Sequence, residues 1–172
     1  GAAGVITIDA GGVRPGNITV TNANGGGMYT FTNGAITMNS GTISNLSSST
    51  ALTFAATVPV NGSFTVASPN GGAVTLLADG NQTSADTITN NGILRLGSST
   101  SSGSVGQAGI TNNGTLTFSR SGSRAIVNPV SGPGHVVLSA FKGGSLTVMA
   151  NLIHTGTTTF NQLGVGEFTC RL

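Results

Sequence analysis

Charge is the scarcest property of this chain. Only 6% of its 172 residues are Asp, Glu, Lys or Arg, where a typical soluble protein carries about 25%. Long charged side chains suit the exposed faces of helices, whereas the Thr, Ser and Asn that replace them here suit strands and turns. The scarcity therefore argues for an almost purely β structure, and no segment reads as an amphipathic helix. With six basic and four acidic residues the net charge is +2. That field is too weak to draw nucleic acid or an anionic membrane from any distance, and the high isoelectric point reflects only how few ionisable groups there are.

Cysteine is also nearly absent. Cys170 is the single thiol, so no internal disulfide can form, and the low content is compatible with an exported bacterial protein. No stretch approaches the roughly 20 apolar residues of a membrane-spanning helix, and no basic segment followed by an apolar one marks a signal peptide. Residue 1 is Gly, which reads as a chain processed or excised from a longer one. With 37% apolar residues and 28 glycines, the composition supports one domain with a sizeable core.

What is abundant is a short repeated unit: a turn residue, Gly, then alternating apolar and small polar residues. It occurs as Asn33-Gly34-Ala35-Ile36-Thr37-Met38, Asn61-Gly62-Ser63-Phe64-Thr65-Val66 and Gly71-Gly72-Ala73-Val74-Thr75-Leu76. It returns as Asn91-Gly92-Ile93-Leu94-Arg95-Leu96, Asn113-Gly114-Thr115-Leu116-Thr117-Phe118 and Gly143-Gly144-Ser145-Leu146-Thr147-Val148. The pentapeptide Ile88-Thr89-Asn90-Asn91-Gly92 recurs identically as Ile110-Thr111-Asn112-Asn113-Gly114. The displacement between the two copies is about one solenoid coil. Gly, and less readily Asn, accepts the left-handed backbone of a sharp corner, and a period-two strand sends its apolar residues to one side. A strand of four or five residues cannot cover that side alone, so stacking on copies of itself is the economical solution, giving roughly eight coils.

The competing reading is an antiparallel sandwich or meander, because Asn-Gly between alternating strands is also a hairpin signal. Against it, most Asn-Gly steps lie about a coil apart, and the Ser- and Gly-rich stretch from Gly97 to Gly109 is a poor partner strand. Ser47-Ser48-Ser49-Thr50, Ser98 through Ser104 and Gly25-Gly26-Gly27 read as loops or wide corners. The single domain runs over 1–166, and 167–172 leaves the pattern as a cap or frayed tail.

From Thr111-Asn112-Asn113-Gly114-Thr115-Leu116-Thr117-Phe118-Ser119-Arg120-Ser121, through Val130-Ser131-Gly132-Pro133-Gly134, to Gly144-Ser145-Leu146-Thr147-Val148, the chain resembles the passenger-associated repeat of autotransporters. That repeat runs from an Asn-Asn-Gly-Thr-Leu strand through an Asn-Arg-Ser turn and Ser-Gly-Thr-Gly to a Gly-Thr-Leu-Thr-Leu strand. Its closing turn is similar to Asn151-Leu152-Ile153-His154-Thr155-Gly156-Thr157-Thr158-Thr159. The likeness is good from Leu94 to Gly166 and looser upstream, around Gly16 to Val20 and Tyr29 to Phe31. Phe141-Lys142 replaces a usual Lys-Thr-Gly run, and His154 an aromatic turn residue. The resemblance implies an all-β fold, a right-handed parallel β-helix (β-solenoid), carried to the bacterial outer-membrane surface or the extracellular space. It implies display rather than a particular activity, with the membrane β-barrel of that family lying elsewhere in the parent gene.

Candidate chemistry is thin. Asp79 and Asp86 could pair as carboxylates do in β-helix polysaccharide lyases and hydrolases, but the intervening segment and a corner separate them, which favours solvated turn residues. His135 and His154 are spaced by close to one coil and could stack on neighbouring coils, yet two ligands make a weak metal site. Cys170 has no adjacent group to activate it. There is no nucleophile elbow or Walker loop, and Gly164-Val165-Gly166 lacks the third glycine of a dinucleotide fingerprint. Arg95, Arg120, Arg124 and Lys142 could share one flank, but with seven Phe and one Tyr no aromatic platform for nucleic acid is expected, and scattered solvated charges are favoured. Alternating threonines (Thr19/Thr21, Thr30/Thr32, Thr87/Thr89, Thr115/Thr117, Thr157/Thr159) are similar to the rows of ice-binding solenoids, though Thr is also the ordinary outward residue of a strand.

The expectation is therefore a non-enzymatic structural or adhesive surface module, without catalytic residues, metal or cofactor. Its partners would be copies of itself, met through the solenoid ends, and a host-surface or glycan ligand, with no nucleic acid and no membrane contact of its own. A carbohydrate-active β-helix enzyme is the alternative.

Overall fold

The computed structural model describes residues 4–21, 27–101, 103–120, 122–141, 145–163 and 167–170, the side chains of Leu163 and Glu167–Cys170 excepted. Among them there is no helix, and every strand pairing is parallel. The antiparallel alternative is excluded by that observation. The chain is a parallel β-solenoid of about seven turns.

One face is an eight-stranded sheet, in the order β1 (Gly4–Ile8), β3 (Tyr29–Asn33), β6 (Leu52–Phe54), β9 (Ala73–Leu76), β11 (Ile93–Leu96), β13 (Thr115–Arg120), β16 (His135–Phe141) and β19 (Thr158–Leu163). The second is seven-stranded: β2 (Ile18–Val20), β5 (Gly41–Asn45), β8 (Phe64–Ala67), β10 (Thr87–Asn90), β12 (Gly109–Asn112), β15 (Val130–Gly132) and β18 (Leu152–His154). A third side, between the first face and the second in each coil, is broken into two short stacks. These are β4 (Ile36–Thr37) with β7 (Val60–Asn61), and β14 (Arg124–Ile126) with β17 (Ser145–Val148) and β20 (Glu167–Cys170). Between the stacks no strands pair among the described residues, and the β-bridge of Asp79 with Ser104 is joined by hydrogen bonds such as Gln107 N–H to the Gln82 carbonyl and Gln82 Nε2 to the Val60 carbonyl.

Coil length is not constant. The steps that lay Gly4 beside Tyr29 and Tyr29 beside Leu52 are longer than later ones such as Val74 to Leu94 and Leu94 to Leu116. The longer N-terminal coils reduce the expected eight turns to about seven. Strand β20 continues the stack, with Ser145 to Val148 pairing in order with Glu167 to Cys170. The stretch set apart as a tail thus contains a registered strand, whose Glu-Phe-Thr-Cys echoes the alternation of Ser-Leu-Thr-Val. Leu172 and Arg171 lie outside the described residues.

Parallel register stacks like on like and so builds the core as columns. Along the first face Ile6, Phe31, Phe54, Leu76, Leu96, Phe118, Leu138 and Phe160 succeed one another. The six inner members are buried, while Ile6 and Phe160 at the two ends are 38% and 53% exposed. Phe31 and Phe54 stack nearly face to face, 4.9 Å apart. Opposite them Phe64, Ile88, Ile110 and Val130 form the matching column of the second face. Each buried aliphatic or aromatic side chain contributes about 1.5–3 kcal/mol by leaving water.

The repeated turn-Gly unit does not mark one position per coil. It opens β9, β11 and β13 on the first face, but β8 on the second and β4 on the third side. Gly143 and Gly144, which precede β17, lie outside the described residues, as do Gly25 and Gly26. The unit is a general corner, and its glycines serve two ends. Gly62 has φ of 76°, a left-handed conformation that side chains resist. Gly92 and Gly114 have no such φ. There a Cβ on Gly114 would stand 2.1 Å from the carbonyl oxygen of Gly92, so close packing of coils is the requirement.

The identical pentapeptides stack residue on residue, with Ile88, Thr89 and Asn90 beside Ile110, Thr111 and Asn112. The inner asparagines, Asn90 and Asn112, are fully buried. Asn90 Nδ2 donates to Asn112 Oδ1 at 2.7 Å and to the Thr115 carbonyl at 3.0 Å, and Asn112 Nδ2 donates to the His135 carbonyl at 2.9 Å. Asn45 makes the same kind of bridge from its corner, to the carbonyls of Thr50 and Ala73. These side chains satisfy backbone groups that a tight buried corner would otherwise leave unpaired.

Candidate functional site

The broken third side holds the one place where charged residues gather among those described. Strand β13 alternates inward and outward, so that Leu116, Phe118 and Arg120 all face the interior. Arg120 is only 2% exposed. Beside it in register stands Ala140, small enough to leave room for the guanidinium. Arg120 Nη1 donates to the carbonyls of Leu96, at 2.9 Å, and Gly103. Its guanidinium carbon lies 5.6 Å from the centre of the Phe118 ring, within cation–π range. The side chain thereby ties both ends of the loop that runs from Gly97 to Gly103.

Burial pushes the Arg120 pKa down to about 10, Asp79 opposes that shift and Arg124 adds to it. The group stays cationic at neutral pH, since about three pH units still separate it from titration. In front of it Arg124 Nη2 meets Asp79 Oδ2 at 3.6 Å, each side chain about half exposed. Together with Ser104, Val127 and Asn128 these three residues line a recess of about 180 Å³. Behind it Asn128 is buried and donates to the carbonyls of Gly106 and Ala108.

Asp79 and Asp86 are not brought together in this recess. Asp86 accepts from the Thr83 amide at 2.8 Å, the Thr83 hydroxyl and the Ser63 hydroxyl. The Thr83 amide above all holds its carboxyl below the usual value, with the two hydroxyls helping against a smaller desolvation effect. It is a corner residue that closes the turn before β10. Among the charges placed together on one flank, Arg95 lies outward between Thr75 and Thr117 on the first face, Arg120 is interior, and Lys142 lies outside the described residues. The reading of Arg120 as a solvated charge is therefore corrected. The signal was present in the spacing Leu116, Phe118, Arg120, where period two puts the arginine on the apolar side.

The histidines do not stack on each other. His135 belongs to β16 on the first face and His154 to β18 on the second. Each meets a threonine hydroxyl at 2.8 Å, Thr157 and Thr158 respectively. No group of three or more metal-ligating side chains occurs among the described residues. The Cys170 side chain and the Gly164-Val165-Gly166 segment lie outside the description.

Threonines do form rows. On the second face Thr42, Thr65, Thr89, Thr111 and Ser131 follow in register, one per coil. The column beside it, which carries Ser63 and Thr87, breaks where Thr87 gives way to Gly109 in the next coil. On the first face the row Thr30, Thr53, Thr75 and Thr117 is interrupted by Arg95 and ends at Val137 and Thr159. An array two columns wide, of the kind an ice lattice would meet, is not formed on the second face.

The fold and these sites define the chain as a β-solenoid. No protein-family model matches it, and no curated protein or solved structure does so either.

Proposed function

We propose that this solenoid is a non-enzymatic structural and adhesive module of a secreted bacterial surface protein, its stiff stack presenting an outward polar face to a host-surface glycan. The observation that carries this reading is the hydroxyl row on the second face, Thr42 to Ser131, repeated once per coil. A regular ladder of donor-acceptor hydroxyls on a rigid scaffold pairs with the hydroxyls of an extended saccharide without ordering loops first, which lowers the entropic cost of binding. Further support is the separate employment of Asp79 and Asp86, each engaged in its own network. The resemblance of residues 94–166 to the autotransporter passenger repeat brings export and a separate outer-membrane barrel into the same proposal.

Self-association belongs to it as well. A sheet edge that no strand pairs accepts a further parallel strand. The test is a binding screen of the purified chain against immobilised neutral and acidic oligosaccharides, with a polysaccharide-cleavage assay alongside. Saccharide binding without cleavage, weakened when Thr89 and Thr111 are replaced by Val, is the expected outcome. Cleavage activity abolished by Asp79→Asn would instead establish the enzymatic alternative.

A further inference from the structure

We infer that Asn113 is a site of spontaneous deamidation that the fold leaves open, while Asn91, in the same sequence one coil earlier, is held closed. The two lie in identical pentapeptides, Ile88-Thr89-Asn90-Asn91-Gly92 and Ile110-Thr111-Asn112-Asn113-Gly114. The reacting carboxamide and the nitrogen that attacks it are therefore the same in both. Deamidation at such a step is intramolecular. The Gly114 nitrogen forms a bond to Asn113 Cγ, the Cγ–Nδ2 bond breaks, and ammonia leaves with the proton given up by the glycine amide. Water then opens the succinimide ring at either carbonyl, leaving an aspartate or an isoaspartate. Glycine has no Cβ to obstruct the attack.

The two coils differ at the nucleophile. Gly92 is buried and its amide donates to Asn90 Oδ1 at 3.2 Å. Gly114 is half-buried. The matching oxygen, Asn112 Oδ1, accepts instead from Asn90 Nδ2 at 2.7 Å, and no hydrogen bond of the Gly114 amide occurs among the described residues. The side chains do not discriminate, since Asn91 and Asn113 are both exposed and the 2.8 Å bond from Asn113 Nδ2 to Asn91 Oδ1 restrains them alike. Other Asn-Gly steps are tied in their own ways. The Gly34 amide donates to the Ile8 carbonyl, the Gly71 amide to the Ser68 carbonyl, and Asn61 Oδ1 accepts from the Asn81 amide. The two products fit unequally. An aspartate at this position replaces a side chain already in solvent, whereas an isoaspartate lengthens the main chain by a methylene. It does so at a corner where even a Cβ on Gly114 would press on the Gly92 carbonyl oxygen.

The experiment ages the whole chain in mildly alkaline buffer, folded in one sample and unfolded in guanidinium chloride in another. Trypsin cuts after Arg95 and Arg120, so the two asparagines fall on separate fragments, and tandem mass spectrometry follows the conversion of amide to acid at each. In the folded sample Asn113 is expected to convert about fivefold faster than Asn91, the slowing produced when one ordinary hydrogen bond must break before attack. In denaturant the two rates are expected to coincide. Equal rates in the folded sample, a faster Asn91, or no conversion of either while the fold holds overturns the inference. A ratio that persists in denaturant overturns it too, because the difference then belongs to the flanking sequence and not to the fold. Urea midpoints separate the products: Asn113→Asp is expected to unfold with the parent, and the isoaspartyl form purified from the aged chain to unfold earlier. Any other order overturns the account of the corner.

Discussion

Asn112 and Asn113 are adjacent, chemically identical and predicted to respond very differently to truncation. Asn112 is fully buried, accepts from Asn90 at 2.7 Å and donates to the His135 carbonyl at 2.9 Å. Asn112→Ala removes both bonds. Asn90 Nδ2 keeps the Thr115 carbonyl as acceptor, so its loss is partial. The His135 carbonyl, only partly buried, loses the Asn112 donor. A net hydrogen bond is worth about 0.5–1.5 kcal/mol and an unsatisfied buried group costs about 1–3 kcal/mol, which puts the expected loss at about 2–4 kcal/mol. Asn113 makes a comparable 2.8 Å bond to Asn91, but in solvent, where water replaces the partner. Asn113→Ala should therefore cost no more than about 0.5 kcal/mol. Urea unfolding followed by far-UV circular dichroism measures both, with constant slope against denaturant as the check that the same structure unfolds. If the two variants lose stability equally, the buried corner ladder is not what holds the coils together, and the account of the Asn-Asn-Gly turn fails.

Glycine gives a second contrast: Gly114→Ala should destabilise strongly, because its Cβ would stand 2.1 Å from the Gly92 carbonyl oxygen, whereas Gly109→Ala meets nothing within 4 Å and should leave the melting temperature unchanged or slightly raised. Arg120→Met should free the loop from Gly97 to Gly103, whose two ends Arg120 ties; faster limited proteolysis within this loop, with the rest of the chain protected, is the readout. For Asp86 the folded-state pKa lies below its ordinary 3.8, so the folded state binds fewer protons than the unfolded chain in that range. Its contribution is complete above the unfolded value and is lost as the pH falls through the lowered one. Asp86→Asn should therefore flatten the acid limb of a stability-against-pH curve, measured as melting temperature, below about pH 4.

Much of the fold was legible in local pattern because a parallel stack repeats its own requirements. Alternation in Leu94-Arg95-Leu96 and Leu116-Thr117-Phe118 announces strands with one apolar side, and the exact recurrence of Ile-Thr-Asn-Asn-Gly announces the coil. The same recurrence becomes the register of Ile88 on Ile110 and Asn90 on Asn112. Less legible was which corner each Asn-Gly would turn. Asn61-Gly62 and Asn91-Gly92 look alike in the chain, yet one opens a second-face strand and the other a first-face strand. The difference depends on how long the preceding segment is, which the unit itself does not encode.

By itself the amino-acid order determined that the strands are short, one-sided and unable to stand alone, since period-two alternation and glycine corners are local properties of backbone and side chain. Tertiary structure decided which residues share a site. Asp79, Ser104, Arg120 and Arg124 converge because three successive coils bring them to one flank, where the third side breaks its sheet. The physical reason is that register between coils is set by the packing of entire columns, from Phe31 to Leu138, and a side chain's neighbours one coil away are fixed only when those columns close.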